Sequence, residues 1–235
     1  MKQTIRLFKM GMRQITRDGM LFVLLPAPFL LGLFVRFGVP FVDSLLQKEL
    51  SFSIQPWYSL ADAMLLAMTP LLLGMSSAFV LLDEKDEGTG LYYQITPVEG
   101  YAYLGARIGL PMIWSFICSI LVTMVFGISG VPFIRVSAAA LISTLLGLSV
   151  SMMVVSFAGN KVEGLAISKL SGIIMIGLAA VWFVPTPYKY FASFLPSYWL
   201  GDLLENGVGL LPLLGGLLTG LIWIGVFTGV FLRKI

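Results

Sequence analysis

Apolar residues come in six uninterrupted runs, at about 20–42, 57–82, 104–129, 136–159, 165–184 and 209–232, separated by short polar connections. The runs are continuous and long rather than alternating with a period of two, which reads as helix and not as strand. A hydrocarbon core about 30 Å thick needs roughly 20 helical residues to cross it. Unpaired backbone amides in lipid cost several kcal/mol each, so only helices or closed barrels span a bilayer. The pattern therefore predicts an all-α integral membrane protein with six transmembrane helices. Before the first run, Met1, Ile5, Phe8, Met12 and Ile15 recur at spacings of four and three, beside a second stripe of Lys2, Arg6, Lys9, Arg13 and Arg17. On a helix over residues 1–19 this makes an apolar face next to a basic one, as in helices that lie in the membrane interface against anionic headgroups. The other reading of the same stripe is a set of cations that only fixes topology.

Blemishes within the runs are few. The first holds Pro26, Pro28 and Arg36, the last of which is expected to snorkel toward the outer headgroups. A polar outer loop with Asp43, Lys48 and Glu49 is expected next, and Asp62, five residues past Trp57, is expected at the interface. Gly130, Pro132 and Arg135 mark a tight turn between the third and fourth runs, hence a helical hairpin. Residues 185–208 resist assignment: Pro185, Pro187 and Pro196 interrupt them, yet Phe191, Phe194, Leu195, Tyr198, Trp199 and Leu203 are too apolar for a free loop. They read as short helices in the outer leaflet or re-entering it, with an ordinary loop anchored by aromatics as the other reading. In the sixth run Gly216 and Gly220, then Gly225 and Gly229, sit four apart and permit close helix approach, either within the bundle or at a dimer seam.

Composition agrees with lipid as the main solvent. Of 235 residues 58% are hydrophobic and 11% charged, with a mean hydropathy of +0.94; a soluble domain is typically about 25% charged. Net charge is +3, but five of the fifteen basic residues lie in the first seventeen positions. A cleavable signal peptide carries a shorter apolar run of about 7–15 residues, so the N-terminus is expected to be retained. With it inside, six crossings return the C-terminus inside. Eleven basic residues then face the cytoplasm (Lys2, Arg6, Lys9, Arg13, Arg17, Lys85, Arg107, Lys161, Lys169, Arg233, Lys234) and four lie outside (Arg36, Lys48, Arg135, Lys189). That asymmetry follows the positive-inside rule and predicts a plasma-membrane protein with both termini cytoplasmic. Trp57, Tyr58, Trp182, Tyr188, Tyr190, Tyr198 and Trp199 fall near the outer boundary as belt residues should, whereas Trp114 and Trp223 lie deeper and read as packing residues.

Candidate chemistry is sparse. Histidine is absent and Cys118 stands alone, which removes the commonest general base, a disulfide within the chain and any multi-cysteine metal site. No GxxxxGK[ST] phosphate loop and no pair of carboxylates buried mid-span occurs. Ion-coupled pumps need intramembrane charge for the coupling ion, so the driving force is expected from a separate partner. The docking surface for it is the one large charged connection, residues 83–103. It opens Asp83, Glu84, Lys85, Asp86, Glu87, Gly88, Thr89, continues through an apolar patch at Leu91 and Ile95, and ends at Thr96-Pro97. Acids that only cap the following helix are the other reading of this loop.

The order of elements, the loop Glu84…Glu87-Gly88-Thr89…Thr96-Pro97, and Leu195-Pro196-Ser197-Tyr198-Trp199-Leu200 before the last run resemble the permease subunit of type-2 ABC transporters, chiefly exporters. The resemblance spans the chain as topology and rests on about 25 residues as motif. It implies a dimer of permeases, identical or paralogous, each engaging a separate ATPase subunit that carries ATP and Mg; this chain is then not itself an enzyme and holds no catalytic, cofactor or metal site. It implies that Glu84, Glu87, Gly88, Thr89, Thr96 and Pro97 transmit the ATPase motion, with the basic N-terminal helix bracing that contact. Asp83 to Glu87 is more acidic than the family pattern. Seventeen Phe and twelve Met offer a soft apolar lining for a drug, peptide antibiotic or other amphiphile. The rivals are an ion-coupled secondary transporter, which would use Arg36 or Asp62, and an integral membrane enzyme.

Overall fold

Pro26 sets the first break in these helices, because proline removes a backbone donor and its ring crowds the carbonyl four residues earlier. The computed structural model describes residues 10, 11, 13, 15–88 and 105–233, excepting the side chains of Met20 and Leu232. A short helix α1 (Gly19–Leu24) stops at Pro26, after which α2 (Ala27–Leu33), a π-turn (Phe34–Gly38) and α3 (Val39–Leu50) form the first long element. A 3-10 turn (Gln55–Trp57) leads into α4 (Tyr58–Asp86). A second π-turn (Gly105–Gly109) opens α5 (Leu110–Phe126), and α6 is Phe133–Phe157. The fifth element is broken into α7 (Lys161–Ser168), α8 (Ser171–Ile174) and α9 (Ile176–Phe183). A 3-10 helix (Tyr188–Phe194), α10 (Pro196–Asn206) and α11 (Leu210–Leu232) complete the chain.

Among the described residues six stretches are long and apolar enough to cross a bilayer: Ala27–Leu50, Gln55–Asp86, Gly105–Phe126, Phe133–Phe157, Lys161–Phe183 and Leu210–Phe231. The shortest has 22 residues, about 33 Å of helix at roughly 1.5 Å per residue. The protein is all-α and multi-pass, as the apolar runs predict. Several bounds differ from the sequence reading. The first span begins after Pro26 and carries on through Asp43, Lys48 and Glu49, which stood as an outer loop. Helix continues there because the Asp43 carboxylate accepts from the Ile54 amide (2.7 Å), the Ser53 hydroxyl (3.1 Å) and the Tyr58 hydroxyl (3.0 Å), which folds the following turn back onto α3. Ser51, in a left-handed conformation at φ 52°, then ends it. At its other end α4 runs past Leu82 to Asp86, so that Asp83 and Glu84 are helical residues.

Within the bundle α4 and α6 are the core: 83% of the apolar window of the second span and 72% of that of the fourth are buried, against 17% and 22% in the first and last. Small residues make this possible, since lipid offers no hydrophobic drive between helices and close packing must supply the attraction. A Cβ placed on Gly147 would meet the Pro70 carbonyl oxygen at 2.6 Å, and one on Gly216 would meet Ile142 at 2.5 Å. The Gly216/Gly220 pair thus packs α11 against α6, whereas nothing described lies against Gly225 or Gly229. Pro70 has no N–H for the Leu66 carbonyl, and the Ser143 hydroxyl of α6 donates to that oxygen at 2.6 Å. Ser143→Ala is expected to lower stability by about 1 kcal/mol, the usual worth of an interhelical hydrogen bond in a membrane protein. Denaturation in mixed micelles followed by circular dichroism measures it.

Residues 185–208 are no open loop. The Ser197 hydroxyl donates to the Ile174 carbonyl, at the break between α8 and α9, and the Trp223 indole of α11 donates to the Phe194 carbonyl at 2.9 Å. These bonds hold the 3-10 helix and the start of α10 beside the middle of the fifth span and of α11. From there α10 climbs among α4, α6, α9 and α11 with Pro196, Ser197, Tyr198, Leu200, Leu203 and Leu204 buried. Tyr198, assigned from sequence to an outer belt, is a core residue.

Candidate functional site

The acidic end of α4 is the most heavily wired place in the described structure. Glu84 and Arg107, each 4% exposed, form a buried ion pair in which Arg107 Nε donates to Glu84 Oε2 at 3.1 Å and the second nitrogen bonds the other oxygen. Asp83 accepts from Lys161 Nζ at 2.9 Å, and the same ammonium pairs with Asp18. Asp86 accepts from the Lys161 amide at 3.0 Å, while Lys85 donates to the Ala158 carbonyl at 3.4 Å. Asp18 also caps α1 through the Leu21 amide, and Asn160 caps α7 by accepting from the Glu163 amide at 2.9 Å, with Glu163 reaching back to the Gly159 amide at 2.6 Å. The ends of α1, α4, α6 and α7 and the start of the third span are thereby joined.

Of the expected coupling residues, Glu84 has its carboxylate paired with Arg107 inside the structure. Glu87 is exposed, and Gly88, at φ 66°, ends α4 in the left-handed conformation that glycine adopts without penalty. Thr89, Thr96 and Pro97 lie outside the described residues, as do Lys2, Arg6 and Lys9; Arg13 and Arg17 are exposed on helical residues before α1. Sequence reasoning passed over Asp18, Asp83, Arg107 and Lys161 as members of one cluster. A signal for Arg107 was present: Arg-x-Gly-x-Pro occurs twice, at Arg36–Pro40 and at Arg107–Pro111, and each copy forms a π-turn. The wider turn moves the Arg carbonyl away from the proline ring four residues on, which relieves the clash that would otherwise break the helix.

At the opposite end the first copy does a parallel job. Arg36 donates to the Gly127 carbonyl at 3.1 Å, while Asp62, 1% exposed, accepts from the amides of Ile128 (2.9 Å) and Ser129 (2.9 Å) and from the Ser129 hydroxyl. The two charges expected to snorkel or to sit at the interface both bond the turn that closes the α5–α6 hairpin.

Next to the Arg107–Glu84 pair a cavity of about 480 Å³ opens between α4 and α5. Leu73, Ser76, Ser77 and Val80, successive residues of one α4 face, form its floor, and Gly11 and Ile15 close one end. Ile113, Trp114 and Ile117 line its mouth on the exposed face of α5. Trp114, read from sequence as a packing residue, is 56% exposed. The volume lies within the range of small-molecule sites, about 300–1,000 Å³.

Comparison with known proteins agrees with a transport role. A family model described as "Fluoroquinolones export permease protein Rv2686c-like" matches residues 11–232. Two similar curated proteins are the fluoroquinolones export permease proteins MT2760 and Rv2686c of Mycobacterium tuberculosis, strains CDC 1551 / Oshkosh and H37Rv. Each is 28% identical over 190 residues, 78% of this chain and 74% of the relative. With six membrane-crossing elements and a match that runs from before α1 to the end of α11, the chain belongs to this family of export permeases, in keeping with its resemblance to type-2 ABC permease subunits.

Proposed function

We propose that this permease forms the transmembrane path of an ATP-driven exporter of amphiphilic drugs, fluoroquinolones among them, and that a separate ATPase subunit drives it through the segment beginning at Glu87. The observation that carries this reading is the engagement of the charges near the span ends. Among the described residues Asp62 and Arg36 hold a hairpin turn and Glu84 and Arg107 pair with each other, which favours an external energy source over ion coupling through one of these groups. The wired end of α4 supports transmission: a push on Glu87 is passed at once to α1, α6, α7 and the third span through Asp83, Asp86, Lys161 and Arg107. On this reading both termini and residues 83–103 are cytoplasmic, ATP and Mg bind the partner, two permease copies or paralogues pair, and residues 185–208 re-enter the membrane from the outer side. The names of the mycobacterial relatives support the cargo class.

Co-expression with a candidate ABC ATPase subunit tests the proposal. Cells are expected to accumulate several-fold less fluoroquinolone than cells lacking either subunit. The double substitution Glu87→Ala with Thr89→Ala, which leaves the buried ion pair intact, is expected to abolish co-purification with the ATPase. Undiminished association would reject the docking assignment, and drug efflux by the purified permease without any ATPase would reject the energy source.

A further inference from the structure

We infer that the cavity between α4 and α5 is a cargo-binding slot entered sideways from the lipid, and that it takes a flat aromatic amphiphile carrying a hydrogen-bond acceptor and no net charge at its buried end. The inference rests on the export reading above and assigns it a site. Ser76 is the decisive residue. It is 2% exposed and lines the cavity, yet its hydroxyl makes no hydrogen bond to any described residue. Its helical neighbours Thr69 and Ser77 return their hydroxyls to the carbonyls four residues earlier, at 3.0 and 3.2 Å, and Ser76 does not. The Ser76 oxygen is not among the fully enclosed unpartnered polar atoms, so the little exposure it keeps is toward the cavity, and an unused donor at the floor of a drug-sized cavity is where a ligand acceptor can bond.

The remaining walls narrow the chemistry. Leu73, Val80, Leu110 and Pro111 make the slot apolar. Trp114 stands at the mouth with an exposed indole on which an aromatic ring can stack. Arg107 also reaches the wall, but the Glu84 carboxylate neutralises it, so the site favours neither anion nor cation. Because the mouth residues Ile113, Trp114 and Ile117 lie on the exposed apolar face of α5, access is from the acyl chains rather than from water. A phospholipid tail could fill the same volume but has no use for the Ser76 donor, which separates the two occupants by experiment.

The test uses the full chain purified in detergent with norfloxacin as the probe, read by the drug's own fluorescence anisotropy. Saturable binding is expected, weakened roughly three- to tenfold by Ser76→Ala, the worth of one hydrogen bond, and several-fold by Trp114→Ala. Ile222→Ala, on the exposed face of α11, is expected to change nothing. Ser76→Phe, which fills the slot, is expected to abolish binding; Trp114→Ala, at an exposed position, keeps the test valid if that variant fails to fold. Affinities within twofold of the parent for both Ser76→Ala and Trp114→Ala would overturn the site, as would a phospholipid retained equally by parent and Ser76→Ala in native mass spectra and not displaced by the drug. Such a failure alongside normal ATPase-dependent export in cells would move the cargo site elsewhere and leave the export reading intact. The expected binding results without any export would remove that reading and leave the slot.

Discussion

Arg107→Ala is expected to destabilise the protein by about 3–5 kcal/mol, because it leaves the Glu84 carboxylate buried without its counter-ion. The pair is bidentate and walled in on the N-terminal side by Gly11, where a Cβ would collide with the guanidinium. Arg107→Lys is expected to recover only part of the loss, since an ammonium is a point charge and cannot span both oxygens. The double substitution Glu84→Gln with Arg107→Met removes both charges and is expected to fold better than either single charge deletion. Denaturation in mixed micelles distinguishes these outcomes. A Glu84→Ala protein as stable as the parent, but unable to hold the ATPase, would return Glu84 to the docking role that its place in the acidic loop first suggested.

Asp62→Ala is expected to cost about 3 kcal/mol. Three donors in the turn after α5 lose a charged acceptor at once, the Ile128 and Ser129 amides and the Ser129 hydroxyl, all of them half-buried. Asp62→Asn should fall between, because its amide oxygen still accepts while its NH2 confronts an N–H. Arg36→Ala removes one hydrogen bond to the Gly127 carbonyl and is expected to cost about 1 kcal/mol. Both residues hold the same three-residue turn, so the two losses should not add, and a double-mutant cycle should show coupling of about 0.5–3 kcal/mol. At matched amounts of folded protein, drug export by Asp62→Asn with its ATPase should not respond to collapse of the proton gradient; a response would revive ion coupling through this carboxylate.

What was legible in the sequence follows the physics of each feature. Six spans could be read because the lipid core demands a continuous apolar run for every crossing, a local property. The ends of the first span could not, since helix beyond Val42 depends on Asp43 finding four donors at Gln47, Ser53, Ile54 and Tyr58, a tertiary event. The acidic stretch after Leu82 was visible as a charge anomaly, but Arg107 lies 23 residues from Glu84, Lys161 lies 78 from Asp83, and Asp18 lies 143 from Lys161 along the chain. No local rule links such positions. Tyr198 and Trp114 exchanged roles for a similar reason. Aromatic residues near a boundary serve equally as belt or as core, and only the packing of α10 against α9 decides between them.

The paired Arg-x-Gly-x-Pro turns carry one more consequence. A regular helix resists bending along its whole length, but a turn already loosened to five-residue bonding can trade one set of carbonyls for another at small cost. The first and third spans each own such a joint, each is pinned by an arginine to a different neighbour, and the two joints sit at opposite rims of the bundle. The rigid pair α4 and α6 can therefore stay seated while the flanking spans swing about them.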